Sequence, residues 1–193
     1  MNRTSWLRVS GAISCVILTL SILTPFLQVE FLSILHPFAP RLEPSISHAY
    51  WSFKTTYTVF TPPNHTRTEE YWLQDYWNRQ TLYKTAELGL TIDALLIPML
   101  VVQAFTLIFA ALAALKTKPI IFLSTTILSI VTALLMWLTS RAFTYPFAYV
   151  VPQYTFQHGF WLTLTAAALS LTTFLYGHMG LRHFRASRPP GGT

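Results

Sequence analysis

Four apolar stretches decide what this chain can become. Residues 7–28, 89–115, 119–140 and 157–178 are each long and uncharged enough to cross about 30 Å of hydrocarbon, which takes a helix of about 20 residues. Backbone polar groups find no partner in lipid, so such segments satisfy them internally as helices. Composition agrees: 52% of the 193 residues are hydrophobic and only 10% charged, a balance that suits a polytopic membrane protein better than a soluble domain. The expected fold class is an all-α membrane protein, a bundle of four transmembrane helices. Residues 29–88 would form a small extracytoplasmic cap of short β-strands plus an amphipathic helix, residues 141–156 a short outer loop, and residues 179–193 a basic cytoplasmic tail.

Charge then orients the chain. Arg3 and Arg8 open it, Lys116 and Lys118 fill the tight turn between the second and third apolar stretches, and Arg182, Arg185 and Arg188 follow the fourth. All seven acidic residues fall between Glu30 and Asp93. Basic connections stay in the cytoplasm, which puts both termini inside and residues 29–88 outside. The formal net charge of +6 is thus a collar of Lys116, Lys118, Arg182, Arg185 and Arg188 against lipid headgroups of the inner leaflet. It lacks the interleaved aromatic residues of a nucleic-acid surface, and no nucleic-acid partner is expected.

Within the connection the pattern changes period. Pro25 follows the first stretch, Phe31 to Leu35 is a second short apolar piece, and the proline-spaced run from His36 to Pro44 reads as an extended strap. From Tyr50 to Phe60, aromatic and β-branched residues alternate with polar ones as in a half-buried strand, ended by Thr61-Pro62-Pro63-Asn64. A lone strand needs partners; Phe147 to Val151 is one candidate and residues 41–48 another. Thr66-Arg67-Thr68-Glu69 matches a capping box, predicting a helix over Glu70 to Glu87 with Trp72, Tyr76 and Trp77 on one face. Pro98 is expected to kink the second span.

Few residues carry chemistry. Asp93 lies one turn inside the second span, where charge is costly, with Glu87 just before it, Arg141 ending the third span and His158 opening the fourth. Topology sets all four at one level, either as a site for a cation, a proton or a quinone-type head group, or as an Asp93–Arg141 pair that sets helix register. Asn64-His65-Thr66 is a glycosylation sequon on the outer side; Asn2-Arg3-Thr4 also matches but is placed inside. The single cysteine, Cys15, permits no disulfide, and the six histidines have no ligand spacing, so neither metal nor cofactor is expected. Thr125, Ser129 and Ala133, with Thr163, Ala166, Ala167 and Ser170, supply small surfaces for close helix packing.

Four spans with a large first outer connection and a short second one resemble the claudin and peripheral-myelin-protein arrangement, which implies loop strands forming a sheet above a left-handed helix bundle. In that family a tryptophan of the first loop is followed closely by two cysteines; here Tyr71-Trp72-Leu73-Gln74 is followed by none. The function expected from these residues is non-enzymatic: a scaffold whose aromatic cap, Trp51, Trp72, Tyr76 and Trp77, binds other membrane or cell-surface proteins or another copy of itself. The alternatives are an accessory subunit of a larger membrane enzyme, such as a respiratory or oxygenase complex, and a transporter or quinone-handling protein using Asp93 and His158.

Overall fold

The computed structural model of the protein describes residues 3–33, 44–61, 65–72, 87–141 and 150–186. Four helices dominate it: α1 (Arg3–Leu23), α2 (Glu87–Lys116), α3 (Pro119–Arg141) and α4 (His158–Ala186). Each contains a stretch long and apolar enough to cross a membrane: Thr4–Leu23, Leu95–Lys116, Pro119–Ser140 and His158–Met179. Neighbours along the chain pack against each other, and α1 closes the ring against α4.

The inward faces share one spacing. Leu7, Gly11, Ser14, Leu18 and Ser21 on α1 are buried, as are Leu96, Met99, Gln103, Thr106, Ala110 and Ala113 on α2. On α3 the buried row is Phe122, Thr125, Ser129, Thr132, Met136 and Thr139, and on α4 it is Thr163, Ala166, Ser170, Thr173 and Gly177. Steps alternate between three and four residues, the seven-residue repeat of left-handed bundle packing. The polarity is inverted relative to a protein core in water: hydroxyl and small residues point in, while Val16, Phe105, Ile108, Ile127, Leu134 and Trp161 are exposed.

Most buried hydroxyls are satisfied within their own helices. Thr106, Thr125, Thr126, Thr132, Thr139, Thr163 and Thr173 each donate to the carbonyl four residues earlier, at 2.7–3.0 Å. Two pairs cross from α1 to α4. Ser14 Oγ and Ser170 Oγ are 3.3 Å apart, and Ser21 Oγ lies 2.8 Å from Thr163 Oγ1. α2 ends with Thr117 in the left-handed region, φ 50°, its N–H bonded to Ala113 O at 3.2 Å. A single bond of that kind satisfies one orphan carbonyl and turns the chain into α3 within two residues, with Pro119 at the first helical position.

A five-stranded antiparallel sheet stands on the opposite end of the bundle, in the order β4-β3-β2-β1-β5: β1 (Leu27–Ser33), β2 (Pro44–Tyr50), β3 (Lys54–Thr61), β4 (His65–Trp72) and β5 (Val150–Phe156). β1 lies between β2 and β5, with Leu27 opposite both Tyr50 and Phe156. Leu27, Val29 and Tyr50 on one face join Phe26, Leu96, Met99 and Met136 in a buried cluster, so the base of the sheet and the helix ends share a core. The other face is polar. Gln28 donates to Glu30 at 2.9 Å and to Ser47 at 3.4 Å, and it accepts from Gln157 at 3.0 Å.

Several expectations change. The first helix stops at Leu23, not at residue 28, because Leu27, Val29 and Phe31 alternate with polar partners in β1. The expected amphipathic helix does not begin at its capping box: His65–Trp72 is β4, paired with β3 throughout, with Thr68 Oγ1 3.3 Å from Thr58 Oγ1. Residues 73–86, which carry Tyr76 and Trp77, lie outside the described residues, as do 34–43, Asn64 and 187–193. The fold is therefore not purely helical. The late strand is Val150–Phe156, and it pairs with β1, not β3; the partner of β3 on its inner side is β2, whose span overlaps the expected 41–48. α4 continues to Ala186, so Arg182 and Arg185 belong to a helix and not to a loose tail.

Close helix approach gives a direct test. A Cβ on Gly11 would meet Ala114 N at 2.6 Å and its Cα at 2.8 Å, both backbone atoms, whereas one on Gly177 meets the Pro119 side chain at 3.1 Å. Gly11→Ala is expected to destabilise by about 1–3 kcal/mol through overpacking. Gly177→Ala should be milder, and thermal unfolding in detergent compares them; equal effects would remove the α1–α2 contact as the cause.

Candidate functional site

At the helix-proximal end of the sheet, the β2–β3 turn and the end of β4 bring aromatic residues together around one cation. Tyr50 pairs with Thr55, leaving Trp51-Ser52-Phe53-Lys54 to reverse the chain; Trp51 N donates to Lys54 O at 2.8 Å. The register sets Lys54 opposite Trp72. Lys54 Nζ then lies 4.8 Å from the Trp51 ring centre and 5.6 Å from that of Trp72, and Phe53 lies 5.6 Å from Trp72. Glu70, two residues along β4 on the same face, accepts from Lys54 at 3.0 Å. A cation over two indole faces with a carboxylate behind it is a fixed arrangement, since each partner restrains the same ammonium group.

Trp72 is 50% exposed. Ser52 and Thr55 in and beside the β2–β3 turn are buried, and among the described residues their hydroxyls have no hydrogen-bond partner. The polar face with Gln28, Glu30, Ser47, Thr58 and Thr68 continues from it across the sheet. Of the aromatic residues singled out from sequence, the fold brings Trp51 and Trp72 together; Tyr76 and Trp77 fall outside the described residues.

The other sequence candidates share one end of the bundle. Glu87 and Asp93 lie in the first two turns of α2, Arg141 is the last residue of α3, and His158 is the first of α4, exposed. The side chains of Glu87, Asp93 and Arg141 are outside the described residues. Among the described residues no group of three or more His, Cys, Asp or Glu could hold a metal ion. Lys116 and Lys118 are exposed at the far end of the bundle, where α1 begins and α4 ends. Cys15 is half-buried against Leu18, Ala110 and Ala166.

One residue escaped the sequence reading. Gln103 is buried in the inward row of α2, and neither end of its amide has a partner among the described residues. Its signal was available: it is the one amide side chain between Asp93 and Lys116, on the face shared with Met99 and Thr106.

For the aromatic corner, Lys54→Met keeps the stem and removes the charge, and should cost about 0.5–2 kcal/mol locally. Glu70→Gln should cost less than about 1 kcal/mol, because that carboxylate is half exposed to water. Hydrogen exchange of the β3–β4 amides reads both, and equal losses would mean that the indoles contribute nothing. No protein-family model matches the chain and no curated protein matches its sequence, so the site is known by its geometry alone.

Proposed function

We propose that the protein is a non-enzymatic integral membrane scaffold. Its sheet is an extracytoplasmic cap, and the corner of Trp51, Phe53, Lys54 and Trp72 captures another membrane or cell-surface protein. One observation carries the membrane part: the helices expose Phe105, Ile108, Ile127, Leu134 and Trp161 while burying serines and threonines, an arrangement unfavourable in water and natural in lipid. Exposed Trp6 and Tyr176 toward the basic end, with Trp137 and Trp161 toward the sheet, suit the two interfacial belts of a spanning bundle. The basic residues of the far end, Lys116 and Lys118 among them, favour that end as cytoplasmic.

The interaction part rests on the corner's chemistry. Trp and Tyr give large contact area at low entropy cost, and a partly exposed indole held in place by a cation–π contact is a preorganised anchor. The sheet edges are managed against indiscriminate pairing: β4 carries Arg67, Glu69 and Glu70, and β5 carries Pro152. Partner choice then lies with side chains. The claudin-like layout, with a sheet drawn from a long and a short connection, suits this role.

Two experiments check the reading. In a Cys15→Ala background, Thr58→Cys should react with a membrane-impermeant maleimide on intact cells and Lys118→Cys only after permeabilisation; the opposite pattern inverts the topology. Gentle purification followed by mass spectrometry should recover a stoichiometric membrane partner that is lost with Trp72→Ala and retained with Asp93→Asn. Loss with Asp93→Asn alone would replace the scaffold reading with one centred on that carboxylate, and co-purification with redox subunits would make the chain an accessory subunit.

A further inference from the structure

Gln103 and Ser129 pose a problem that the other buried side chains described in the bundle do not. Gln103 is 3% exposed, and among the described residues its Oε1 and Nε2 both lack partners; Ser129 Oγ on α3 is 0% exposed and equally unpaired among them. The middle turns of all four helices are described. Thr117-Lys118 joins α2 to α3, so residues equally far from it lie at one level: Gln103 is level with Thr132, one turn from Ser129. All three belong to the inward rows. Thr132 and Thr106 spend their protons on Leu128 O at 2.9 Å and Val102 O at 2.7 Å, which leaves their oxygens free to accept.

The set of open valences selects the guest. Gln103 needs both a donor and an acceptor, Ser129 needs one partner, and the threonines can only accept. A monovalent cation would satisfy the oxygens and leave the Nε2 hydrogens unpaired, and the described inward rows contain no charged side chain to balance it. An unpaired buried amide costs several kcal/mol in apolar surroundings, whereas water bridging two to four polar groups removes that cost. We propose that Gln103, with Ser129, Thr106 and Thr132, forms an internal site for bound water, a neutral guest that both donates and accepts hydrogen bonds. This site is independent of the aromatic corner and of any partner that corner binds.

The test uses the full chain in lipid nanodiscs, with water itself as the probe. The 15N-labelled side-chain amide of Gln103, assigned through its absence in Gln103→Leu or its shift in Gln103→Asn, should show cross-relaxation with water of the sign given by a long-lived bound molecule. Gln103→Leu, similar in size but apolar, should lower the thermal midpoint, because the guest loses its main partner and Ser129 is left unpaired. An amide silent to water, or a midpoint raised by Gln103→Leu, overturns the proposal, since a dry interior gains from losing an unpaired amide. The midpoint should not change when choline replaces sodium or potassium; dependence on either ion would overturn the assignment of a neutral guest.

Discussion

The junction between the end of α1 and the start of α4 is the contact from which the rest of the architecture takes its position. A helix beginning leaves N–H groups without partners, and here the residues just past the end of α1 supply carbonyls at the start of α4. Gly159 N donates to Pro25 O at 2.9 Å and Gln157 N to Phe26 O at 3.0 Å, while Phe26 N turns the other way to Tyr50 O at 2.8 Å. The approach requires a residue without a side chain: a Cβ on Gly159 would fall 2.8 Å from the carbonyls of both Ser21 and Thr24. These bonds run on into the ladders that set β1 beside both β5 and β2.

Below the junction, cohesion comes from shape more than from directional bonds. Because the threonines return their protons to their own helices, the seam between helices is polar in composition yet makes few cross-helix hydrogen bonds, and close packing of Gly11, Ala110, Ala113, Ala166 and Ser170 carries the association. Lipid tails are as apolar as Leu or Phe, so such a bundle gains nothing from burying its large residues; it gains by burying small ones that let the backbones approach.

The four helices were legible because an apolar run of that length has one outcome. The strands were legible only where period two was uninterrupted. In β3, alternation identified the element, but of Leu27-Gln28-Val29-Glu30, with the same alternation, the first two residues were absorbed into the preceding apolar run. For β4, a local capping signature at Thr66 and Glu69 competed with a ladder to β3 that no local window contains, and the ladder won. The pairing of β1 with β5 joins residues more than a hundred apart and left no local trace. Trp51 and Trp72 were recognisable as surface aromatics, but their meeting over Lys54 depends on register. Gln103 was visible as a letter and became a question only once its surroundings proved to be closed.

The position of β1 has a kinetic consequence. Ten residues separate it from its neighbour β2, but β5 emerges only after α2 and α3 have been made. Through that interval one side of β1 presents an unpaired ladder edge, the feature that templates pairing with other chains. Completion of the sheet therefore waits on synthesis through Phe156. A product interrupted before residue 150 would display an open edge that the finished protein hides, which is the kind of signal by which a cell's quality control distinguishes an unfinished membrane protein from a finished one.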